Sequence, residues 1–252
     1  MTRPILRTQG LFKRFGGLVA TDRLDIEVAP TELHAIIGPN GAGKTTLINQ
    51  LVGEIAPDAG TIEFDGDDVT HLATHRRALL GLSRSYQITS IFPEFTALEN
   101  VALAAQARDG HSFGIWQPTL RQERLTKPAA DALEEVGLGA RAALPASALA
   151  HGERRQLELA MALVSKPKLL LLDEPMAGMG RHESEMMVRL LASLKGRYAI
   201  LLVEHDMDAV FALADRITVM VYGRQIASGP PEVIRASLEV KKAYLGERYA
   251  QR

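Results

Sequence analysis

Gly38-Pro39-Asn40-Gly41-Ala42-Gly43-Lys44-Thr45 follows the largely apolar run Leu33–Ile37 and opens onto Thr46, Leu47, Ile48 and Asn49. This is the G-x-x-x-x-G-K-[ST] phosphate-loop pattern, in the strand–loop–helix setting that the pattern requires. Its glycines let the backbone turn tightly enough for successive N–H groups to face phosphate oxygens. The helix that follows adds the positive end of its dipole. Lys44 is expected to reach the β- and γ-phosphates, and the Thr45 hydroxyl to ligate Mg²⁺. The stretch predicts a nucleoside triphosphate as ligand.

The chain has 252 residues, of which 46% are apolar, enough for one large domain or for a core with a smaller subdomain. Its 29 basic and 30 acidic residues nearly cancel, so global charge points neither to nucleic acid nor to an anionic membrane. It has no cysteine, which excludes a disulfide framework and Cys-ligated zinc and fits a reducing compartment. The amino-terminal residues Met1-Thr2-Arg3-Pro4 lead into no long apolar core, so no signal peptide is expected. No apolar run approaches the roughly 18–20 residues of a spanning helix. Any work at a membrane is therefore expected to go through a partner.

Apolar runs at 33–37, 169–172, 199–203 and 217–221 are continuous rather than alternating. That predicts a mostly parallel sheet covered on both faces. An antiparallel β portion with a hairpin-type turn at Asp65-Gly66-Asp67-Asp68 is expected near the amino terminus. Between residues 83 and 165 the pattern turns helical, with helices expected at 96–108, 120–136 and 153–164. The expected organisation is a single α/β domain: a nucleotide-binding core from residues 1–82 and 166–252, with a helical subdomain of 83–165 inserted. The irregular stretch 109–118 holds the lone Trp116, as a loop or partner contact or simply as packing. Pro230-Pro231 marks a turn before two short helices.

Leu169-Leu170-Leu171-Leu172-Asp173-Glu174 reads as a buried strand ending in two carboxylates. An acid at the carboxyl end of a strand beside a phosphate loop is how such enzymes hold Mg²⁺, so Asp173 is the second metal candidate. Glu174 is then available to polarise the water that attacks the γ-phosphate, or else to cap the turn before Pro175.

Between these elements, Leu149-Ala150-His151-Gly152-Glu153 runs into Arg154-Arg155-Gln156-Leu157-Glu158-Leu159-Ala160. This resembles the LSGGQ signature and signature helix of ABC-transporter ATPases. Leu157, Ala160, Met161 and Val164 fall on one helical face, leaving the helix's amino end to point outward. The resemblance implies the ABC ATPase fold, with that end capping the γ-phosphate held by the opposite subunit. ATP would then be sandwiched between Lys44 of one chain and the segment Ala150, His151, Gly152 and Glu153 of another. Phe15, in Arg14-Phe15-Gly16-Gly17, looks like the family's adenine-stacking aromatic, or else a core residue. Gln87, in Arg84-Ser85-Tyr86-Gln87, looks like the glutamine that contacts Mg²⁺ and senses the membrane partner. His205, in Glu204-His205-Asp206, looks like the switch histidine that contacts the γ-phosphate.

The segments Phe15-Gly16-Gly17-Leu18, Glu174-Pro175-Met176-Ala177-Gly178-Met179 and Val240 to Gly246 look like the branched-chain amino-acid importers, a group that also includes urea and amide importers. The resemblance implies ATP and Mg²⁺ as ligands, two integral-membrane permeases, a second ATPase subunit and, indirectly, a periplasmic solute-binding protein. It implies a peripheral position on the cytoplasmic face of the inner membrane. The ending Tyr244-Leu245-Gly246 also occurs in ATPases of lipopolysaccharide export. A non-transport ABC ATPase acting on nucleic acid or ribosomes would carry paired cassettes, long coiled coils or a basic stripe, and none is present. A kinase or GTPase leaves Leu149 to Glu153 and His205 unexplained.

Departures from the family pattern include Ala150 for the usual serine, Glu153 for the usual glutamine, and Gly180 for a frequent aspartate. The lost hydroxyl removes about 0.5–1.5 kcal/mol of hydrogen bonding, and more where the acceptor is a charged phosphate. Ala150→Ser is therefore expected to lower the ATP concentration at half-dimerisation, and an unchanged midpoint would refute this.

Overall fold

The computed structural model describes residues 3–85, 91–108 and 123–245. Gln87, the whole of 109–118 with Trp116, and Gly246 lie outside the described residues. The chain forms two compact units, residues 1–82 with 168–174 and 191–252, and residues 83–167 with 175–190. The second unit takes in 175–190, which the sequence reading had grouped with the core.

In the first unit, β1 (Leu6–Phe15) pairs antiparallel with β2 (Leu18–Leu24), β3 (Glu27–Val28) and β5 (Ala59–Phe64). β6 (Asp67–Asp68) folds back on β5 through Asp65-Gly66, placing the hairpin where the sequence put it. The larger sheet runs β11-β10-β4-β9-β8-β7, namely Arg224–Gly229, Arg216–Val221, Leu33–Ile37, Ala199–Val203, Leu169–Asp173 and Leu82–Ser85. Strands β10, β4, β9 and β8 are parallel neighbours, and β11 is antiparallel to β10. Strands β4, β8 and β9 are buried at every residue, which is why their sequences are unbroken apolar runs. The core joins both sheets to α1 (Lys44–Val52) through Leu6, Ile36, Leu47, Ile48, Phe64, Leu171 and Leu201.

Buried polar groups fix this unit as firmly as its apolar contacts. Arg77, on α2 (Thr74–Leu80), is fully buried and donates to the Gln50 and Leu51 carbonyls at 2.7 and 2.6 Å. Those are carbonyls left over at the end of α1, so one cation closes the helix that begins at Lys44. His34, within β4, is equally enclosed. Its Nδ1–H donates to the Glu27 carbonyl at 3.1 Å, and its Nε2 accepts from the Thr218 hydroxyl at 2.8 Å.

In the second unit, α3 (Ala97–Arg108), α4 (Glu123–Glu135) and α5 (His151–Leu163) pack together around Val101, Leu125, Ala129, Leu133, Leu157 and Ala160. α3 starts on a capping box: Glu99 N–H donates to Thr96 Oγ1 at 3.1 Å, and Thr96 N–H donates to Glu99 Oε2 at 2.7 Å. α5 begins two residues earlier than expected, because Glu153 accepts the Ala150 N–H at 2.9 Å and holds Ala150 extended as N-cap. Leu157, Ala160 and Val164 are buried as expected, whereas Met161 is only half-buried. The connections on to α6 (Arg181–Leu194), α7 (Met207–Leu213), α8 (Pro231–Ala236) and α9 (Leu238–Leu245) complete the chain, with the last two following Pro230 as expected.

Burial and the nearby Arg216 guanidinium hold the His34 pKa down from 6.5 to about 4. Between those values the unfolded chain binds the proton and the folded chain does not, so stability falls as pH drops from 6.5 towards 4 and levels off below. The loss is about 3 kcal/mol. His34→Gln is expected to remove this part of the slope in urea titrations at pH 7, 5.5 and 4, leaving the separate contribution of Glu32, whose carboxyl is raised by burial. Parallel pH profiles of wild type and variant would show that His34 does not titrate this way.

Candidate active site

Strand β4 delivers the chain into the loop at Gly38. A Cβ on Gly38 would lie 2.2 Å from the Met220 carbonyl oxygen, and one on Gly43 would lie 2.0 Å from that of Ala20. Gly43 also has φ of 100° and serves as N-cap of α1. No side chain fits at either place, so the close packing of β2, β10 and the loop sets the glycine spacing. The turn between β10 and β11 braces the same region: Gly223 donates its N–H to the Ala42 carbonyl at 2.9 Å and accepts that of Asp22 at 2.7 Å. The first N–H groups of α1 are thereby left facing the loop interior, where an anion is favoured.

Lys44 is buried to 9% exposure, and its Nζ donates to the Gly38 and Pro39 carbonyls at 2.7 and 3.1 Å. Burial lowers its pKa from the ordinary value, while the Glu174 and Asp173 carboxylates act in the opposite sense. The cation and the two acids are thus within electrostatic reach of one another, although 129 or more residues separate them in sequence. Thr45 is exposed and Thr46 half-buried on the first turn of α1.

Asp173 is the last residue of β8, paired with Val203 of β9, and is almost fully buried. Glu174 follows with φ of 50°, uncommon for a side chain of its size, and donates its N–H to the Val203 carbonyl at 2.8 Å. His205 leaves the end of β9 with Nδ1 3.9 Å from Glu174 Oε1, beyond a hydrogen bond but close enough for charge to act. Beneath it, the buried Glu204 accepts the His205 N–H at 2.9 Å and the Asp206 N–H at 3.3 Å. Asp206 caps α7 by accepting the Asp208 and Ala209 N–H groups. Consecutive capping bonds thus hold the backbone on which His205 stands. Sequence reasoning missed Glu204. Its position directly after an all-apolar strand was the available signal.

Phe15 ends β1 opposite Leu18 and is 46% exposed, with Lys13 Nζ 5.5 Å from its ring centre. It is not a core residue. In the second unit, the segment Ala150, His151, Gly152 and Glu153 forms the amino end of α5. The Glu153 carboxylate also accepts from Arg141 Nε at 3.1 Å, so its charge is paired. His151, which stands where the signature has its first glycine, has Nε2 3.3 Å from the Ala177 carbonyl. A stacked pair, Phe92 and Phe95, stands half-exposed before α3, with ring centres 5.3 Å apart. The buried Asn100 holds its backbone, accepting from Phe92 N–H at 2.8 Å and donating to the Phe92 and Thr96 carbonyls. Composition gave no hint of this pair.

Among the described residues no group of three His, Cys, Asp or Glu side chains could by itself hold a metal. A hydroxyl from Thr45 and a carboxylate from Asp173 nevertheless suit Mg²⁺, which takes few protein oxygens and completes its shell from phosphate and water.

A sequence model described as "ABC transporter" matches residues 21–177, and one described as "Branched-chain amino acid ATP-binding cassette transporter" matches residues 224–250. The chain belongs to the ABC transporter family and is an ATP-binding ATPase of that family. It is 40% identical to the high-affinity branched-chain amino acid transport ATP-binding protein BraF of Pseudomonas aeruginosa, over 98% of this chain and all of the relative. The same figures hold for LivG of Escherichia coli K12. A probable LivG of Archaeoglobus fulgidus is 37% identical, over 96% of this chain and 95% of its own. Among solved structures, the ADP conformation of an ATP-binding cassette of an ABC transporter superimposes with a TM-score of 0.87 at 30% identity, covering 98% of this chain and all of that one.

Glu174→Gln removes a base while keeping shape. It is expected to lower steady-state ATP turnover about 10²–10⁴-fold and to leave nucleotide affinity within a few-fold. Retained turnover would remove Glu174 from the chemistry.

Proposed function

We propose that this chain is the ATP-hydrolysing subunit of an importer for branched-chain amino acids, seated peripherally on the cytoplasmic face of the inner membrane. The observation that carries the reading is the agreement, along the whole chain, of 40% identity to BraF and LivG with a separate match to residues 224–250. No helix among the described residues is long and apolar enough to cross a membrane, so two permease subunits would supply the path. A second ATPase subunit and a periplasmic binding protein would complete the assembly.

In this reading the loop 38–46 and the amino end of α1 bind the β- and γ-phosphates, with Lys44 exchanging its loop carbonyls for phosphate oxygens. Phe15 stacks on the adenine. Thr45 and Asp173, with Gln87, would hold Mg²⁺, whose charge would offset that of the phosphates. Glu174 takes the proton of the attacking water, and His205 orients that water and contacts the γ-phosphate. Ala150, His151, Gly152 and Glu153 of the opposite subunit close the site, with the Gly152 N–H facing the γ-phosphate. Closure draws the two subunits together and drives the permeases between their inward and outward states. Loss of the γ-phosphate reopens the pair.

The test is reconstitution in proteoliposomes with permeases and a binding protein of the branched-chain amino acid importer type from the same organism. Leucine-loaded binding protein is expected to raise ATP hydrolysis several-fold and to drive leucine uptake, and Lys44→Ala to abolish both. Stimulation by urea or an amide with none by leucine would reassign the solute. ATP hydrolysis indifferent to every binding protein would overturn import.

A further inference from the structure

The donor assigned above to the γ-phosphate is already engaged inside the second unit. Gly152 is the second residue of α5, and its N–H has no partner within the helix. The usual N-cap acceptor is missing because residue 150 is alanine. The Gly152 N–H instead donates to Glu183 Oε1 at 3.2 Å, from a carboxylate 31 residues further on. The other oxygen, Oε2, accepts the Gly180 N–H at 3.0 Å, as the third residue of a helix does when it reaches back to its own N-cap. One half-buried carboxylate thus closes two helix starts. A Cβ on Gly152 would stand 3.0 Å from Glu183 Oε1, so the bare glycine is what lets the carboxylate approach. His151 reaches the Ala177 carbonyl alongside, tying the same two segments a second time. The two N–H groups, with His151 and His182 nearby, hold the Glu183 carboxyl below the usual carboxylate range.

We propose that Glu183 is an internal anion that occupies the signature helix's phosphate donor in the free protomer. It must release the Gly152 N–H before the helix can close over ATP. This rests on the reading that α5 faces the γ-phosphate of an opposite subunit. A phosphate oxygen and a carboxylate oxygen compete for one N–H, and the two anions repel at that separation. Glu183 therefore raises the ATP concentration needed for closure, adding to the loss of the serine hydroxyl at 150. It also makes closure release the loop 176–180, because the same side chain holds Gly180. Glu183 does not touch the reacting atoms; it is a positioning residue.

The experiment measures the ATP midpoint of dimerisation by light scattering for full-length Glu174→Gln protein with Mg²⁺, with and without Glu183→Gln, and with Glu183→Ala as a second variant. Nucleotide affinity of the monomer and the melting temperature are recorded for each. Glu183→Gln keeps the side-chain size and one acceptor while removing the charge. It is expected to lower the midpoint about tenfold, with monomer affinity unchanged, and Glu183→Ala to lower it as well. In the turnover-competent background the KM for ATP is expected to fall with kcat altered less than twofold. A merely structural role would raise the midpoint or leave it alone, and either result overturns the proposal while leaving the ATP-driven dimer standing. Absence of any ATP-driven dimer in the Glu174→Gln parent overturns the two-subunit reading and this proposal with it.

Discussion

The nucleotide site depends on how closely three backbones approach one another around the loop 38–43. With 2.2 Å from Gly38 to the Met220 carbonyl and 2.0 Å from Gly43 to that of Ala20, as measured from the Cβ each residue lacks, there is no room for a methyl group. Ala20 and Met220 are themselves buried within their strands, so the contact cannot relax by moving outward. This crowding turns the first N–H groups of α1 towards the loop interior and leaves Lys44 buried against carbonyls, within reach of Asp173 and Glu174. The fold thereby concentrates positive potential where a triphosphate needs it, with little reorganisation left for the binding step.

Within each unit, buried polar side chains are satisfied by backbone rather than by surface ion pairs. Arg77 closes the far end of α1 through carbonyls, Glu204 closes the turn at His205 through N–H groups, and Asn100 closes the turn before α3 through both. Each is buried, so each bond is made at low dielectric and is costly to break without replacement. The functional side chains are exposed or strained by comparison: His205 is largely accessible, Glu174 has a left-handed backbone, and Phe15 is half in solvent. Buried polar anchors beneath exposed or strained reactive groups are the arrangement expected where a site must open and close.

This division also explains what could be read from the sequence. The strands at 33–37, 169–172, 199–203 and 217–221 were legible because burial on both faces leaves an unbroken apolar record. The phosphate loop was legible because steric crowding dictates glycine at fixed spacing. The start of α5 was misplaced by two residues, since Glu153 acts backwards along the chain as a cap and its letter alone reads as surface charge. Arg77, Asn100, Glu183 and Glu204 carry their roles through contacts with backbone atoms, which leave no pattern in the identity of neighbouring residues. Buried polar anchors of this kind become visible only once the fold is known.

In the proposed closed pair, one triphosphate is held by two chains. The most direct test is an experimental structure of the Glu174→Gln protein with ATP and Mg²⁺. The account predicts a γ-phosphate within hydrogen-bond distance of Lys44 Nζ on one protomer and of the Gly152 N–H on the other. A triphosphate held by Lys44, Thr45 and Asp173 of one chain alone, with Gly152 of every copy distant from phosphate, would contradict it.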